Sequence, residues 1–345
     1  MKRVVHLIPY HAIGGVEIAA RSLPTGCHGG LEFERNYLVS APDSSIEAGE
    51  YHGPPISVNN PRAYWHTLWR LHRDPPDLLV VSLWRSALVL ICLKILRPRM
   101  TMVVFLHLAH SVHFVDKAAN WVAMFLSDAI WADSSVSLQR RVPRWLQKKG
   151  RVVSFLLDRR SLPGQRDPTP EFIFWGRLNA QKGLDRALDL VAAVKRHRQD
   201  VRFTIIGPHG GVEDQLLAQV AELGLRDHVV FKGSMRHDDI AGAANHASFY
   251  LQTSLHEGMA MSVVEAMQIG LVPVVTPVGE IANYCHDQKN AVLVHEDDAA
   301  VTAVLDLLWD PDRYKQMSCA AAKSWQAKPL YRDDFLEAAK ELIKR

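Results

Sequence analysis

The sequence is short of cysteine, of net charge and of long apolar runs, and each shortage removes a class of protein. Its four cysteines (Cys27, Cys92, Cys285 and Cys319) are far apart and form no Cys-x-x-Cys pair. A disulfide framework or zinc ribbon is therefore excluded, and the thiols read as buried residues of a reducing compartment. The net charge is only +3, which argues against nucleic acid as a main partner. The longest apolar run, residues 86–96, contains Lys94 and is too short to span a bilayer. The opening Met1-Lys2-Arg3-Val4 leads straight into a strand pattern without a secretory leader, so a cytoplasmic location is expected. No Gly-x-Gly-x-x-Gly follows a strand with an acidic residue about twenty positions on, which disfavours a dinucleotide oxidoreductase.

What is present is an ordinary globular balance, 48% hydrophobic and 22% charged, over 345 residues, enough for two domains rather than one core. Buried-strand patterns at 4–9, 36–40, 77–82, 101–107 and 128–133 alternate with helical spacing at 18–23, 64–72, 83–96 and 117–125. Such alternation predicts a parallel, doubly wound α/β sheet. Residues 159–170, with Pro163, Gly164, Pro168 and Pro170, read as a linker. The alternation then restarts, with strands at 171–176, 202–207, 228–233, 248–252 and 290–294. The expected division is an N-terminal domain 1–165, a C-terminal domain 166–325 and a terminal helical segment 326–345.

Chemistry gathers on a few stretches. His256 to Thr276 opens polar, becomes a small-residue helix from near Ala260, and breaks at Gly270 before a β-rich run. Glu257 then lies just ahead of a helix N-terminus, whose free N–H groups and dipole suit a phosphate, and Glu265 sits on the second turn. Arg177 and Lys182 follow the first strand of the second domain, a pair suited to a diphosphate: Arg binds bidentately, Lys as a movable point charge. Gly14-Gly15 turns from the first strand into a helix, a geometry that brings backbone against a phosphate or sugar. His107 closes a strand on the edge where open α/β sheets bind ligands, with His110, His113 and Asp116 as competitors. Six cations (Arg140, Arg141, Arg144, Lys148, Lys149 and Arg151) surround Trp145. That mix suits an anionic membrane surface or acidic carrier lipid, and equally a solvated helix face.

Taken together, Gly14-Gly15-Val16-Glu17, Gly176-Arg177-Leu178 with Lys182-Gly183, Ile206-Gly207, Phe231-Lys232-Gly233, and Glu257 to Glu265 with Gly270-Pro273-Val274-Val275 resemble the retaining glycosyltransferases of family 4. The resemblance departs from the family at Gln181-Lys182-Gly183 and at Gly207-Pro208-His209-Gly210-Gly211. It implies a GT-B fold: two Rossmann-like domains facing a central crevice, the last helix crossing back to the first domain. It implies that Arg177 and Lys182 bind the donor diphosphate, Glu265 the ribose and Glu257 the transferred sugar. Gly258, Met259 and Ala260 would touch phosphate or sugar, Gly207 would lie in the adjoining turn, and Gly233 and Ser234 would edge the base. Gly14 and Gly15 would approach from the other domain, with His107 near the reacting face. No metal cofactor is expected. The partners implied are a nucleotide-diphosphate sugar and a glycan or lipid-linked acceptor of cell-surface polysaccharide or glycolipid synthesis. The alternative is an epimerase or other non-transferase that binds nucleotide sugars on the same fold.

Overall fold

A computed structural model describes residues 1–11, 15–40, 48–107 and 113–344. The chain divides into two compact units, residues 1–157 with 329–345, and residues 158–328.

Unit 1 is built on a sheet of eight strands. It runs β1 (Lys2–Ile8), α1 (Gly15–Ser22), β2 (Gly26–His28), β3 (Leu31–Tyr37), β4 (Glu50–His52), α2 (Pro61–Arg73), β5 (Leu78–Ser82), α3 (Leu83–Leu96), β6 (Thr101–Leu106), α4 (Phe114–Leu126), β7 (Ala129–Ala132), α5 (Ser135–Arg141) and β8 (Gly150–Val152). The sheet order is β2-β3-β1-β5-β6-β7-β8, with β4 beside β3. Its central strands β5 and β6 are mostly apolar and almost wholly buried, as expected of parallel strands covered on both faces. The order reverses between β1 and β5, so ligand chemistry is expected at their carboxyl ends.

The strand expected at 36–40 lies earlier, at Leu31–Tyr37, and is preceded by an antiparallel partner, β2. The alternating Glu32, Glu34 and Arg35 conceal it. Arg35 is fully buried there because its guanidinium meets Glu50 Oε1 at 2.5 Å and donates to the carbonyls of Ala20 and Leu23. A buried cation is tolerable only when so paired.

Unit 2 continues with β9 (Glu171–Trp175), α6 (Leu184–Lys195), β10 (Arg202–Ile206), α7 (Glu213–Glu222), β11 (Val229–Phe231), α8 (His237–Ala243), β12 (Phe249–Gln252), α9 (Met261–Gln268), β13 (Val272–Val275), α10 (Ile281–Tyr284), β14 (Val292–Leu293), α11 (Asp297–Trp309) and α12 (Pro311–Lys323). Its six strands are all parallel, in the order β11-β10-β9-β12-β13-β14. The reversal falls between β9 and β12.

The unit boundary lies at Leu157 and Asp158, ahead of the expected 165. The backbone of Arg160 donates to Gln268 and accepts from Gln326, and Pro163 packs against Gly270, which ties the proline-rich segment to unit 2. The final helix, α13 (Tyr331–Ile343), belongs to unit 1. There Phe335 is wholly buried among Phe33, His6 and Trp131.

Candidate functional site

At the reversal point of unit 2, the loop after β9 and the loop after β12 run side by side. Gln181 O accepts from Leu255 N, and the Gln181 amide donates back to His256 O. Gly183 is the hinge: it adopts φ +61°, and a Cβ there would lie 2.1 Å from Thr253 O. Only glycine allows that approach, which delivers Lys182 to Glu257.

Lys182 Nζ lies 2.7 Å from Glu257 Oε1. The same oxygen accepts from Ser254 Oγ at 2.8 Å and from Gln252 Nε2 at 3.1 Å. Tyr250 holds Gln252 in turn, its hydroxyl donating to Gln252 Oε1 at 2.8 Å. Glu257 is thus a buried carboxylate fixed in place by three donors on one oxygen. Gly279, at φ +59°, packs so closely that a Cβ would stand 2.2 Å from Glu257 O. Arg177, by contrast, is exposed at the end of β9.

The helix expected to start near Ala260 begins at Met261, with Ala260 at the N-cap in the left-handed conformation, φ 56° and ψ 65°. For a residue bearing a Cβ that conformation costs roughly 1 kcal/mol or more. It turns the Gly258–Ala260 backbone, whose carbonyls at Met259 and Gly258 accept from the Tyr284 hydroxyl and the Glu280 N–H. Glu265, on α9, accepts from Trp175 Nε1 at 2.8 Å and meets His237 Nε2 at 2.9 Å.

The turns after β9, β10 and β11 adjoin, because Gly176 N donates to Ile206 O and Gly207 N to Gly233 O. Gly207 lies so close to Gly176 that a side chain would collide with its carbonyl. Gly233 and Ser234 are exposed at this edge. Arg177, Lys182, Gly207, Gly233, Ser234, Glu257, Gly258, Met259, Ala260 and Glu265 therefore all belong to the carboxyl-end edge of one sheet. Sequence reading assigned no role to Trp175, Tyr250, Gln252, Ser254 or His237. The strand residues among them carry no outward signal, because their role arises from register between β9 and β12.

Unit 1 holds a second polar cluster at its own reversal point. Ser82 Oγ lies 2.8 Å from Nε2 of His6 and 2.8 Å from Nε2 of His107. All three residues are buried, and burial lowers both imidazoles, His6 to about 3. Ser82 is also the N-cap position of α3, yet its side chain makes no cap bond, and Leu83 beside it has φ 67°. Gly15 opens α1 on the surface. Gly14 and His110 lie outside the described residues. His113 caps α4, its Nδ1 accepting from Asp116 N.

The basic stretch is not one solvated helix face: it spans α5, a 3₁₀ helix (Arg144–Lys149) and β8. Arg141 faces buried Asp116 at 3.6 Å, Lys149 donates to the Phe125 and Ser127 carbonyls, and Arg151 pairs with Asp334 and Glu341. Arg140, Arg144 and Lys148 remain exposed. Among the described residues no group of three metal-ligating side chains converges, and no helix is long and apolar enough to cross a membrane.

Residues 159–324 match the family model described as Glycosyl transferases group 1. The chain is 28% identical over 156 residues to the GDP-mannose:cellobiosyl-diphosphopolyprenol alpha-mannosyltransferase of Xanthomonas oryzae pv. oryzae (strain PXO99A), covering 44% of this chain and 41% of that protein. It is 32% identical over 153 residues to the 2-deoxystreptamine glucosyltransferase of Streptomyces kanamyceticus, covering 44% and 36%. The chain thus spans less than half the length of these relatives. Among solved structures, Anabaena Alr3699/HepE in complex with UDP-glucose superposes with a TM-score of 0.80 at 15% identity, covering all of both chains. The sucrose-phosphate synthase of Thermosynechococcus elongatus gives 0.79 at 15%, covering 100% of this chain and 99% of that one. At such identities the likeness shows the fold, which is GT-B, two Rossmann-like domains.

Proposed function

We propose, for a chain whose C-terminal unit belongs to the glycosyl transferases group 1 family and whose fold is GT-B, that it is a retaining, metal-independent hexosyltransferase. It moves a sugar from a nucleotide-diphosphate donor to a glycan or lipid-linked acceptor in cell-surface polysaccharide or glycolipid synthesis. The observation that carries this reading is the gathering at one sheet edge of a fixed carboxylate, Glu257, a lysine held on it, and an exposed arginine just after β9.

The roles follow from charge and reach. Arg177 and Lys182 bind the diphosphate and stabilise the negative charge that grows as it leaves. All three donors to Glu257 meet Oε1, and Oε2 is the oxygen assigned here to the donor sugar's hydroxyls. Glu265 accepts from the ribose, and the turns at Gly207 and Gly233 carry backbone to the base. Glu257 and Glu265 act as hydrogen-bond acceptors, not as the acid and nucleophile of a glycosidase. In unit 1, His107 serves the reacting face. Association with the inner membrane surface is part of this reading and is tested below.

Incubation with UDP- and GDP-sugars, with and without acceptor, is expected to give transfer or slow donor hydrolysis with the anomeric configuration retained. Arg177→Ala and Lys182→Ala should each lower turnover by about 10²-fold, the loss of a few kcal/mol of charge stabilisation. Unchanged turnover in either variant removes that role. An isomerised donor sugar without transfer would instead identify an epimerase.

A further inference from the structure

Both carboxylate oxygens of Glu265 are engaged by unit 2 itself, and the two contacts are unequal. Trp175 donates to Oε2 from within β9, where its ring is 4% exposed and packs edge-on against Tyr250 at 4.6 Å. That bond fixes which way the carboxylate turns. His237 meets Oε1 from the surface, its side chain 46% exposed. It is the first residue of α8, a seven-residue helix with no buried side chain and no side-chain cap. The approach to it runs through Gly233, at φ +65° with open space around it, and exposed Ser234. The inner contact belongs to the sheet, and the outer one hangs on a lightly anchored segment.

We propose that His237 is a gate on the donor site: it occupies the outward oxygen of Glu265, and a nucleotide must displace it before its ribose can be gripped. The inference rests on the transferase reading for the identity of the ligand and on this contact geometry for the gate.

The charged groups facing His237 are Glu265 across the contact, Asp238 on its own helix, and Arg160 from the segment ahead of β9. The hydrogen bond to Glu265 raises the imidazole above its ordinary value against the opposing effect of burial. Glu265 and Asp238 add to the rise, and Arg160 works against it. A histidine so raised keeps its ion pair below its ordinary value and loses it as pH climbs through the raised one. The gate is therefore shut in mild acid and released toward alkaline pH. Linkage is reciprocal, so bound nucleotide must lower the His237 titration by the same factor.

The test is a calorimetric titration of the full chain with UDP and with GDP at pH 6 and pH 8. It compares the wild type with His237→Ala, alongside an NMR titration of the His237 ring. The expected result is that His237→Ala binds about threefold or more tighter at pH 6 and converges on the wild type at pH 8. Comparison with the variant cancels the ionisation of the nucleotide itself. In the ring titration, Glu265→Gln should move His237 down from its raised value, since the two largest raising contacts are lost while burial and Arg160 remain. Equal pH dependence in the two proteins overturns the gate, and weaker binding by His237→Ala at both pH values makes His237 a ligand contact instead. Failure of the wild type to bind either nucleotide at either pH overturns the transferase reading and the gate together, a result distinct from binding with an unchanged pH slope.

Discussion

Ser82 shows how much one hydroxyl can organise. As the residue before α3 it would ordinarily cap the helix, an interaction worth about 1 kcal/mol. Instead its Oγ joins His6 and His107 inside unit 1, beside a strained Leu83. A hydroxyl supplies one proton, so at most one imidazole accepts from Ser82 and the other must donate to it, which sets their tautomers together. Ser82→Ala leaves two buried ring nitrogens without a partner, and urea unfolding should report a loss of about 1–3 kcal/mol. No cap is lost, so that cost belongs to the imidazoles. The pair also makes unit 1 acid-sensitive. Both histidines are held neutral by burial, His6 down to about 3. Their stability is therefore present above the ordinary histidine value and is lost as pH falls from there toward the folded values. The limiting slope is about 1.4 kcal/mol per pH unit for each histidine. A urea midpoint flat between pH 7 and pH 4 would contradict this. His107 was legible in the sequence because a strand's carboxyl end is where ligands bind. Its partners were not, because only the pairing of β1, β5 and β6 brings residues 6, 82 and 107 together.

At the scale of elements, the sequence marked the helices by spacing and the parallel strands by apolar runs, but it misread elements whose partners are charged. The strand at Leu31–Tyr37 was hidden by its carboxylates, and the basic stretch at 140–151 was read as a single surface feature. Half of its cations satisfy unit 1's own acceptors. What remains for a membrane is a composite face. Helix α4 buries Ala119, Asn120, Ala123 and Met124, yet it also exposes Phe114, Trp121 and Phe125, which with Ala118 follow helical spacing on the opposite side. A helix with one face already buried and a second, exposed face that is apolar calls for a further apolar environment. Trp145 of the 3₁₀ helix extends the stripe, its ring 6.1 Å from Phe125, and Lys117, Arg140, Arg144 and Lys148 are exposed on the same segments. Aromatic rings among cations match the interface of an anionic bilayer, where each basic residue adds about 1 kcal/mol. The chain should co-sediment with vesicles containing phosphatidylglycerol at low salt, and less so at high salt. Trp145→Ser with Phe125→Ser should lower the bound fraction severalfold. Binding that is absent, or indifferent to those substitutions, removes membrane docking from the reading.

For the whole molecule the decisive fact is that the chain enters unit 2 at Asp158 and leaves it at Lys328, so unit 1 is completed by residues 329–345, which follow unit 2 in the chain. Two-domain architecture was legible because strand–helix alternation stops at the proline-rich segment and restarts. The position of the cut was not, since residues 158–165 carry linker composition yet are bonded to unit 2. The closing helix is a structural part of the first core: Tyr331 N donates to Leu156 O, and both Tyr331 and Phe335 are buried among Phe105, Phe155, Trp131 and His6. Phe335→Ala should therefore cost unit 1 about 3–5 kcal/mol, as expected for an aromatic ring removed from a packed core. Those contacts all join residues of unit 1, and unit 2 should keep its own unfolding transition. Hydrogen exchange resolves the two directly. In Phe335→Ala, protection should fall along β1, β5 and β6, while β9, β10 and β12 stay as in the parent. A uniform loss across both sheets would mean that the units unfold as one, and the cut at residue 158 would then have no energetic meaning.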